Sequence, residues 1–225
     1  MIHYRLIRSK RKTIAIHVTK YATVEVRAPM KVPKSEIDHF IESKQSWINN
    51  HLLERKQLIE NKEAFTLTYG DVVLMQGKEY PIIAKAVNHA GFDGACFYIP
   101  PDLTPNGIKQ VVIQIYRLAA KRLFTNKVID YSQQMSVTPI AVKINGAKTR
   151  WGSCSGRNSI NFSWRLVMAD DDVIDYVVVH ELAHIKEHNH SDRFWAVVAN
   201  ILPDYKMKQA KLKMLQQRLA SEDWE

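Results

Sequence analysis

Residues 170–195 read DDDVIDYVVVHELAHIKEHNHSDRFW, and the reading of this stretch decides the rest. Val173, Ile174, Val177, Val178, Val179, Leu182, Ala183 and Ile185 surround the histidines with apolar residues, which predicts a buried helix. Asp170, Asp171 and Asp172 stand at its start as the acidic caps that a helix N-terminus favours. Inside the helix, His180, Glu181 and His184 form an HExxH pattern. Positions i and i+4 share one helix face, so His180 and His184 can present two imidazole nitrogens to one metal ion, with Glu181 one residue round. Imidazoles in so apolar a setting need a partner, and a zinc ion provides one. The chemistry implied is a zinc-activated water with Glu181 as its general base.

A catalytic zinc keeps three protein ligands and one open position, so a third ligand is needed. His190, ten residues after His180, and His188 are the nearby candidates, with Asp204 and Glu222 further downstream. On an unbroken helix His180, His184 and His188 would line up along the axis and could not wrap one ion. Asn189 tolerates the left-handed conformation that ends helices, which favours His190 swinging back to the metal while His188 stays on the last helical turn. The spacing is shared with the metzincin pattern, but Glu187 stands where that pattern has glycine, so metzincin membership does not follow.

Working outward, Ile140–Ile144 and Ser159–Leu166 read as strands on either side of TRWGSCSGR, residues 149–157. Before them, the apolar stripe of Ile108, Val111, Val112, Ile115, Leu118, Ala119, Leu123 and Val128 predicts a core helix from Pro105 through Tyr131. Two further helices, around 192–200 and 204–219, close the chain. The amino-terminal part is strand-rich. Thr13–Val18 and Thr23–Ala28 alternate as a hairpin, and Val72–Met75, Glu79–Ala84 and Ala95–Ile99 read as short strands. One helix, Lys34–Arg55, lies between the two groups. Pro100 and Pro101 mark the expected boundary between a strand-rich lobe, 1–104, and a catalytic lobe, 105–225. The fold class expected is α+β.

Composition frames these elements. With 225 residues, 46% of them hydrophobic, the chain can bury a proper core. No apolar run is long enough to cross a bilayer and no signal-peptide pattern opens the sequence, so a cytoplasmic protein without membrane partners is expected. Two cysteines, Cys96 and Cys154, make neither a disulfide framework nor a zinc pair, and Cys154 reads as a small packed residue rather than a nucleophile. His3, His17, His39, His51 and His89 lack ligand spacing. The net charge of +9 is unevenly spread. Residues 136–169 carry Lys143, Lys148, Arg150, Arg157 and Arg165 without one acidic residue, and RSKRK near the start and KMKQAKLKMLQQR near the end add basic runs. A solvated basic face and recognition of an anion are both open readings, and no zinc-finger, helix-turn-helix or RNA-recognition signature is present. Any nucleic-acid association would be weak, backbone-directed and salt-sensitive. Arg150 is placed to hold an anionic group or an oxyanion, with Lys148 and Trp151 beside it; a simple stack of Arg150 on Trp151 at a turn is the plainer alternative.

The segments TRWGSCS (149–155), INFSWRLV (160–167) and VIDYVVVHELAHIKEHNHSDRFW (173–195) together resemble the YgjP-like zinc metallopeptidase family, more distantly the SprT-like and WLM metalloproteases. The resemblance implies a minimal zincin-like lobe in which His180, His184 and His190 hold the zinc and Glu181 is the base. It marks Asn189–Ser191, Phe194 and Trp195 as family positions. A peptide or protein substrate follows from it. Two other functions fit parts of the pattern. A metal-dependent nucleotide phosphohydrolase of the nucleoside triphosphate pyrophosphatase type would use the same site and grip phosphates with the basic segment, although no P-loop is present. A DNA-associated zinc-binding adaptor would need a structural zinc, which is usually closed and cysteine-rich. The oligomeric state is not encoded in any pattern found.

Overall fold

The computed structural model describes residues 2–224. Its backbone contacts divide the chain into two compact units, Met1–Phe65 with Leu219–Asp223, and Thr66–Arg218 with Trp224–Glu225.

The first unit opens with three strands, β1 (Tyr4–Ser9), β2 (Ala15–Val18) and β3 (Val24–Pro29), in the order β1-β3-β2. β2 and β3 are the expected antiparallel hairpin. β1 adds to the far side of β3 in parallel, with Tyr4 opposite Val24, and was not foreseen. The sequence predicted one helix after Pro33; two form, α1 (Lys34–Ser43) and α2 (Gln45–Ala64), broken at Lys44 with φ −110° and ψ 12°. Val24, Val26 and Ala28 of β3 bury against Ile37, Ile41 and Ile48 of the helices, which is the period-2 and period-3.6 matching that sheet-on-helix packing requires.

The second unit is organised around α3 (Pro105–Gln134), whose start is fixed by Pro105 in the first turn and by the Thr104 hydroxyl accepting the Gly107 N–H. Strands β4 (Val72–Met75), β5 (Lys78–Ala84), β6 (Gly91–Phe92) and β7 (Phe97–Ile99) form a sheet ordered β4-β5-β7-β6. Strands β8 (Ala141–Asn145), β9 (Gly152–Cys154) and β10 (Ser159–Ser163) form another, ordered β8-β10-β9, in which β10 runs parallel to β8 and antiparallel to β9. The last residues of the expected strand Ser159–Leu166 instead wind into a 3₁₀ turn, Trp164–Met168. The helices α4 (Asp171–Lys186), α5 (Asp192–Ile201) and α6 (Tyr205–Leu219) follow. The α+β class is as expected.

The expected boundary near residue 104 falls inside this second unit. The β4–β7 sheet shares a core with α3: Phe97 meets the Tyr116 ring edge-on at 5.5 Å, and Tyr116 Oη donates to the Leu74 carbonyl at 2.6 Å. The prolines therefore mark a turn between β7 and α3 rather than a domain border. The aspartates at the start of α4 stand where expected, Asp170 at the N-cap and Asp171 and Asp172 in the first turn, but their side chains are engaged in ion pairs. Asp170 makes no side-chain cap. Lys127 of α3 bonds Asp171 and Asp175 at 2.9 and 2.6 Å, and Lys208 and Lys211 of α6 approach Asp172 at 3.6 and 3.0 Å, so the acidic run ties α4 to both neighbours. The β4–β5 turn completes this corner, with Gly77 (φ +76°) so close to Asp170 that a Cβ there would stand 1.9 Å from Oδ1. Among the described residues no helix is long and apolar enough to cross a membrane.

Candidate metal centre

α4 is buried along most of its length, and His180 and His184 emerge from it one turn apart. The helix ends earlier than the sequence suggested. Lys186 is its last residue, Glu187 turns extended at φ −134°, and His188 stands beyond the helix rather than on its final turn. Asn189 is not among the residues with positive φ. The reversal is made instead by a tight turn, in which the Ser191 N–H reaches the Asn189 carbonyl at 2.8 Å, and by the Ser191 hydroxyl accepting from Phe194 N as the cap of α5. This brings His190 back over the helix.

His180, His184 and His190 form a group whose ligand atoms all lie within 4.8 Å of one another. The Nε2 atoms of His180 and His190 are 3.1 Å apart. Neither His188 nor the downstream candidates Asp204 and Glu222 join the group; Asp204 is bonded to Lys208 at 2.7 Å. Phe194, wholly buried, touches all three imidazoles, with ring centroids 4.6 to 4.9 Å away. The far nitrogens are also accounted for. His184 Nδ1 faces the Glu187 carbonyl at 3.3 Å, and a carbonyl only accepts, so the proton belongs on Nδ1 and the Nε2 lone pair is free. His180 Nδ1 faces the Tyr176 hydroxyl at 3.4 Å. Burial first, then His184 and His190, push the His180 imidazolium down to about 3, and burial likewise lowers His184. His180 and His184, held neutral by burial, with His190 beside them, fit a metal ion.

Glu181 is only 6% exposed. Burial raises its carboxyl to about 7, against the opposing pull of the Arg150 charge and a hydrogen bond from the Cys154 amide. β9 is thus built against this carboxyl group. A Cβ on Gly152 would lie 2.5 Å from Glu181 Oε1 and 2.6 Å from its Cγ, so only glycine admits Glu181 in this position. The sequence reading missed Gly152, although a glycine inside a strand signals close approach, and it missed Tyr176, whose signal was its place four residues before His180.

The other anticipated residues fall as follows. Arg150 and Lys148 are exposed in the segment leading into β9, and Trp151 is half-buried there with its carbonyl accepting from Ser163 N at 2.8 Å. Cys154 is half-buried, and burial and the Glu181 charge raise its thiol, which disfavours a thiolate nucleophile. Arg165 does not belong to an outward basic face. Its guanidinium lies 4.4 Å over Trp164 and donates to the Gly146 carbonyl at 2.8 Å. In the basic run of α6, Lys208 and Lys211 pair with aspartates and Arg218 with Glu79 at 2.8 Å.

A helix-borne pair of imidazoles and a third from the following loop make a cluster that could hold a metal ion, with a buried glutamate next to the first of them. The chain belongs to the YgjP-like family, whose metallopeptidase domain matches residues 12–215. It is a hydrolase of that metallopeptidase family, in which a divalent metal is implied and the three histidines could bind it. Among solved structures it is similar to the metallopeptidase zymogen abylysin of Pyrococcus abyssi, at 18% identity over 44% of this chain and 98% of that one, with a TM-score of 0.39. It is also similar to the metallopeptidase zymogen jannalysin of Methanocaldococcus jannaschii, at 22% identity over 42% of this chain and 95% of that one, with a TM-score of 0.37. No curated protein matches the chain.

Proposed function

We propose that the chain is a zinc-dependent metallopeptidase in which His180, His184 and His190 hold the ion and Glu181 is the general base. One observation carries this reading: three imidazoles converge on a point beside a buried carboxyl group. Two nitrogens on a tetrahedral zinc stand about 3.3 Å apart, and the Nε2 atoms of His180 and His190 stand 3.1 Å apart. An all-nitrogen donor set suits zinc better than magnesium or calcium. Bound there, zinc would supply Lewis acidity toward water and the scissile carbonyl.

Everything else falls to the chain. Glu181 takes a proton from water and passes it to the leaving amine, a two-way task for a buried carboxyl group next to the histidines. The Cys154 amide and the bare Cα of Gly152 hold that carboxyl group in place. β9 bonds β10 along one side only, and its other side is the edge where an extended peptide can add its main chain. Arg150, Lys148 and Trp151, in the approach to β9, are the substrate-binding residues, the cations for anionic groups and Trp151 for apolar ones. Cys96 and Cys154 are free thiols, in keeping with a cytoplasmic protein.

The test is to load wild type and Glu181→Gln with zinc, measure the metal by mass spectrometry, and assay both against a peptide library and a nucleoside triphosphate panel. About one zinc per chain in both proteins is expected, with peptide cleavage by wild type alone. Hydrolysis of triphosphates but not peptides would replace the peptide reading with the phosphohydrolase one. A wild type that takes up no metal would sink both.

A further inference from the structure

α6 places no group in the histidine cluster, yet two of its side chains end on residues that touch the cluster. Gln209 Nε2 donates to Tyr176 Oη at 2.9 Å, and the same oxygen lies 3.4 Å from His180 Nδ1. One turn earlier on α6, the Tyr205 ring stacks on Trp195 with centroids 5.2 Å apart and planes 13° from parallel. Trp195 in turn lies against His190 at 5.7 Å and 24°.

The two contacts answer two different needs. His180 can offer an Nε2 lone pair only with its proton on Nδ1, and that proton needs an acceptor. Tyr176, 5% exposed and one turn before His180, supplies the oxygen, and Gln209 fixes where that oxygen sits. His190 has the opposite problem. It stands exposed between α4 and α5, with no helix of its own to set its ring. The indole face of Trp195 sets the plane of the imidazole, and Tyr205 backs the indole. Other contacts also hold α6, with Lys208 and Lys211 reaching Asp172.

We propose that α6 is the orienting element of the metal centre: Gln209 acts through Tyr176 on His180, and Tyr205 acts through Trp195 on His190. The four are positioning residues, and the inference rests on the metallopeptidase reading above. An ion whose ligands must be re-oriented on arrival binds more weakly than one meeting pre-set ligands.

The experiment measures zinc affinity by chelator competition and the visible spectrum of the cobalt(II) form. The variants are Tyr176→Phe, Gln209→Leu, the double variant, Tyr205→Leu and Tyr205→Phe, each also melted without metal. Loss of an outer-shell partner weakens metal binding by roughly 10- to 100-fold, and that is the loss expected for Tyr176→Phe, Gln209→Leu and Tyr205→Leu. The double variant should bind no more weakly than Tyr176→Phe, since Gln209 acts only through the hydroxyl. Tyr205→Phe keeps the stack and should keep wild-type affinity. Cobalt spectra should shift in the weakened variants while their metal-free melting stays near wild type. Wild-type affinity and spectra in Gln209→Leu and Tyr205→Leu would overturn the inference, and so would losses matched by equal loss of metal-free stability. A wild type that binds no metal fails differently, by defeating the reading of the site itself.

Discussion

Gly152→Ala is the sharpest probe of the site, because it adds one methyl group and changes no charge. Gly152 does not occupy the left-handed region, so alanine meets no backbone strain there. The new Cβ meets Glu181 instead, at 2.5 Å from Oε1, 2.6 Å from Cγ and 2.7 Å from Cδ. Non-bonded carbon atoms rest at about 3.5 Å or more, so the carboxyl group must retreat by roughly 1 Å. A misplacement of that size can cost about 100-fold in rate. Overpacking should also lower stability by about 1–3 kcal/mol. The three atoms nearest the new Cβ all belong to Glu181, so zinc content should stay at the wild-type level. The assay is kcat on the peptide that the library screen identifies, with zinc measured in the same preparations. Gly156→Ala is the control, since nothing lies within 4 Å of its Cβ, and it should be silent. If Gly152→Ala hydrolyses peptide at the wild-type rate with wild-type zinc, Glu181 is not the base, and the argument from its position fails.

Three further outcomes follow from the same geometry. His190→Ala should abolish tight zinc binding while leaving the metal-free melting temperature nearly unchanged, because His190 is exposed; calorimetric titration decides it. Chelation of the zinc-loaded wild type should lower its stability by about 2.7 kcal/mol if free metal had stood at about 100 times Kd, read from the shift in melting. Lys127→Met leaves Asp171 and Asp175 without their shared cation, whose side chain is 14% exposed, and should cost about 1–3 kcal/mol in urea unfolding.

The parts of this molecule that the sequence made legible are those whose cause is local. The apolar period of α4, the HExxH spacing and the Pro105 start of α3 depend on neighbours a turn away, and each is where its pattern placed it. β1 escaped notice because its partner β3 is about twenty residues on, in a parallel pairing that no local alternation announces. The break at Lys44 carries neither glycine nor proline. Asn189 had the composition of a helix terminator, but the turn is set by Ser191 and by the extended Glu187, which composition does not reveal. The boundary near residue 104 failed for a related reason: prolines report the course of the chain, while the unit is defined by where Leu74 and Phe97 are buried, against Tyr116. In the site, the ligand candidates were legible as residue types, and Tyr176 had a local signal one turn before His180, whereas Gly152 and Gln209 meet Glu181 and Tyr176 only through contacts between segments far apart in sequence.

The ion pairs at the start of α4 lead to a prediction about acid. Burial pushes the Asp172 carboxyl up, but the hydrogen bond and charge of Lys211, with Lys208 behind it, leave it net below its ordinary value of 3.8. A carboxyl group that is more acidic folded than unfolded stabilises the fold fully above its unfolded value, and the benefit is lost as pH falls through the folded one. Stability of the metal-free protein should therefore fall with pH across roughly pH 5 to 2, as paired carboxylates are protonated. Asp172→Asn removes one contributor. Its melting temperature should lie below wild type at neutral pH, and the two curves should converge in acid, where wild type has lost the same charge. Curves that stay parallel down to the acid limit would show that Asp172 is not held by the lysines of α6. Convergence has a consequence for the metal centre, because those lysines belong to the helix that carries Gln209 and Tyr205. Loosening α6 from Asp172 should then weaken zinc binding in Asp172→Asn at neutral pH, where the three histidines are unaltered and only the support behind them has changed.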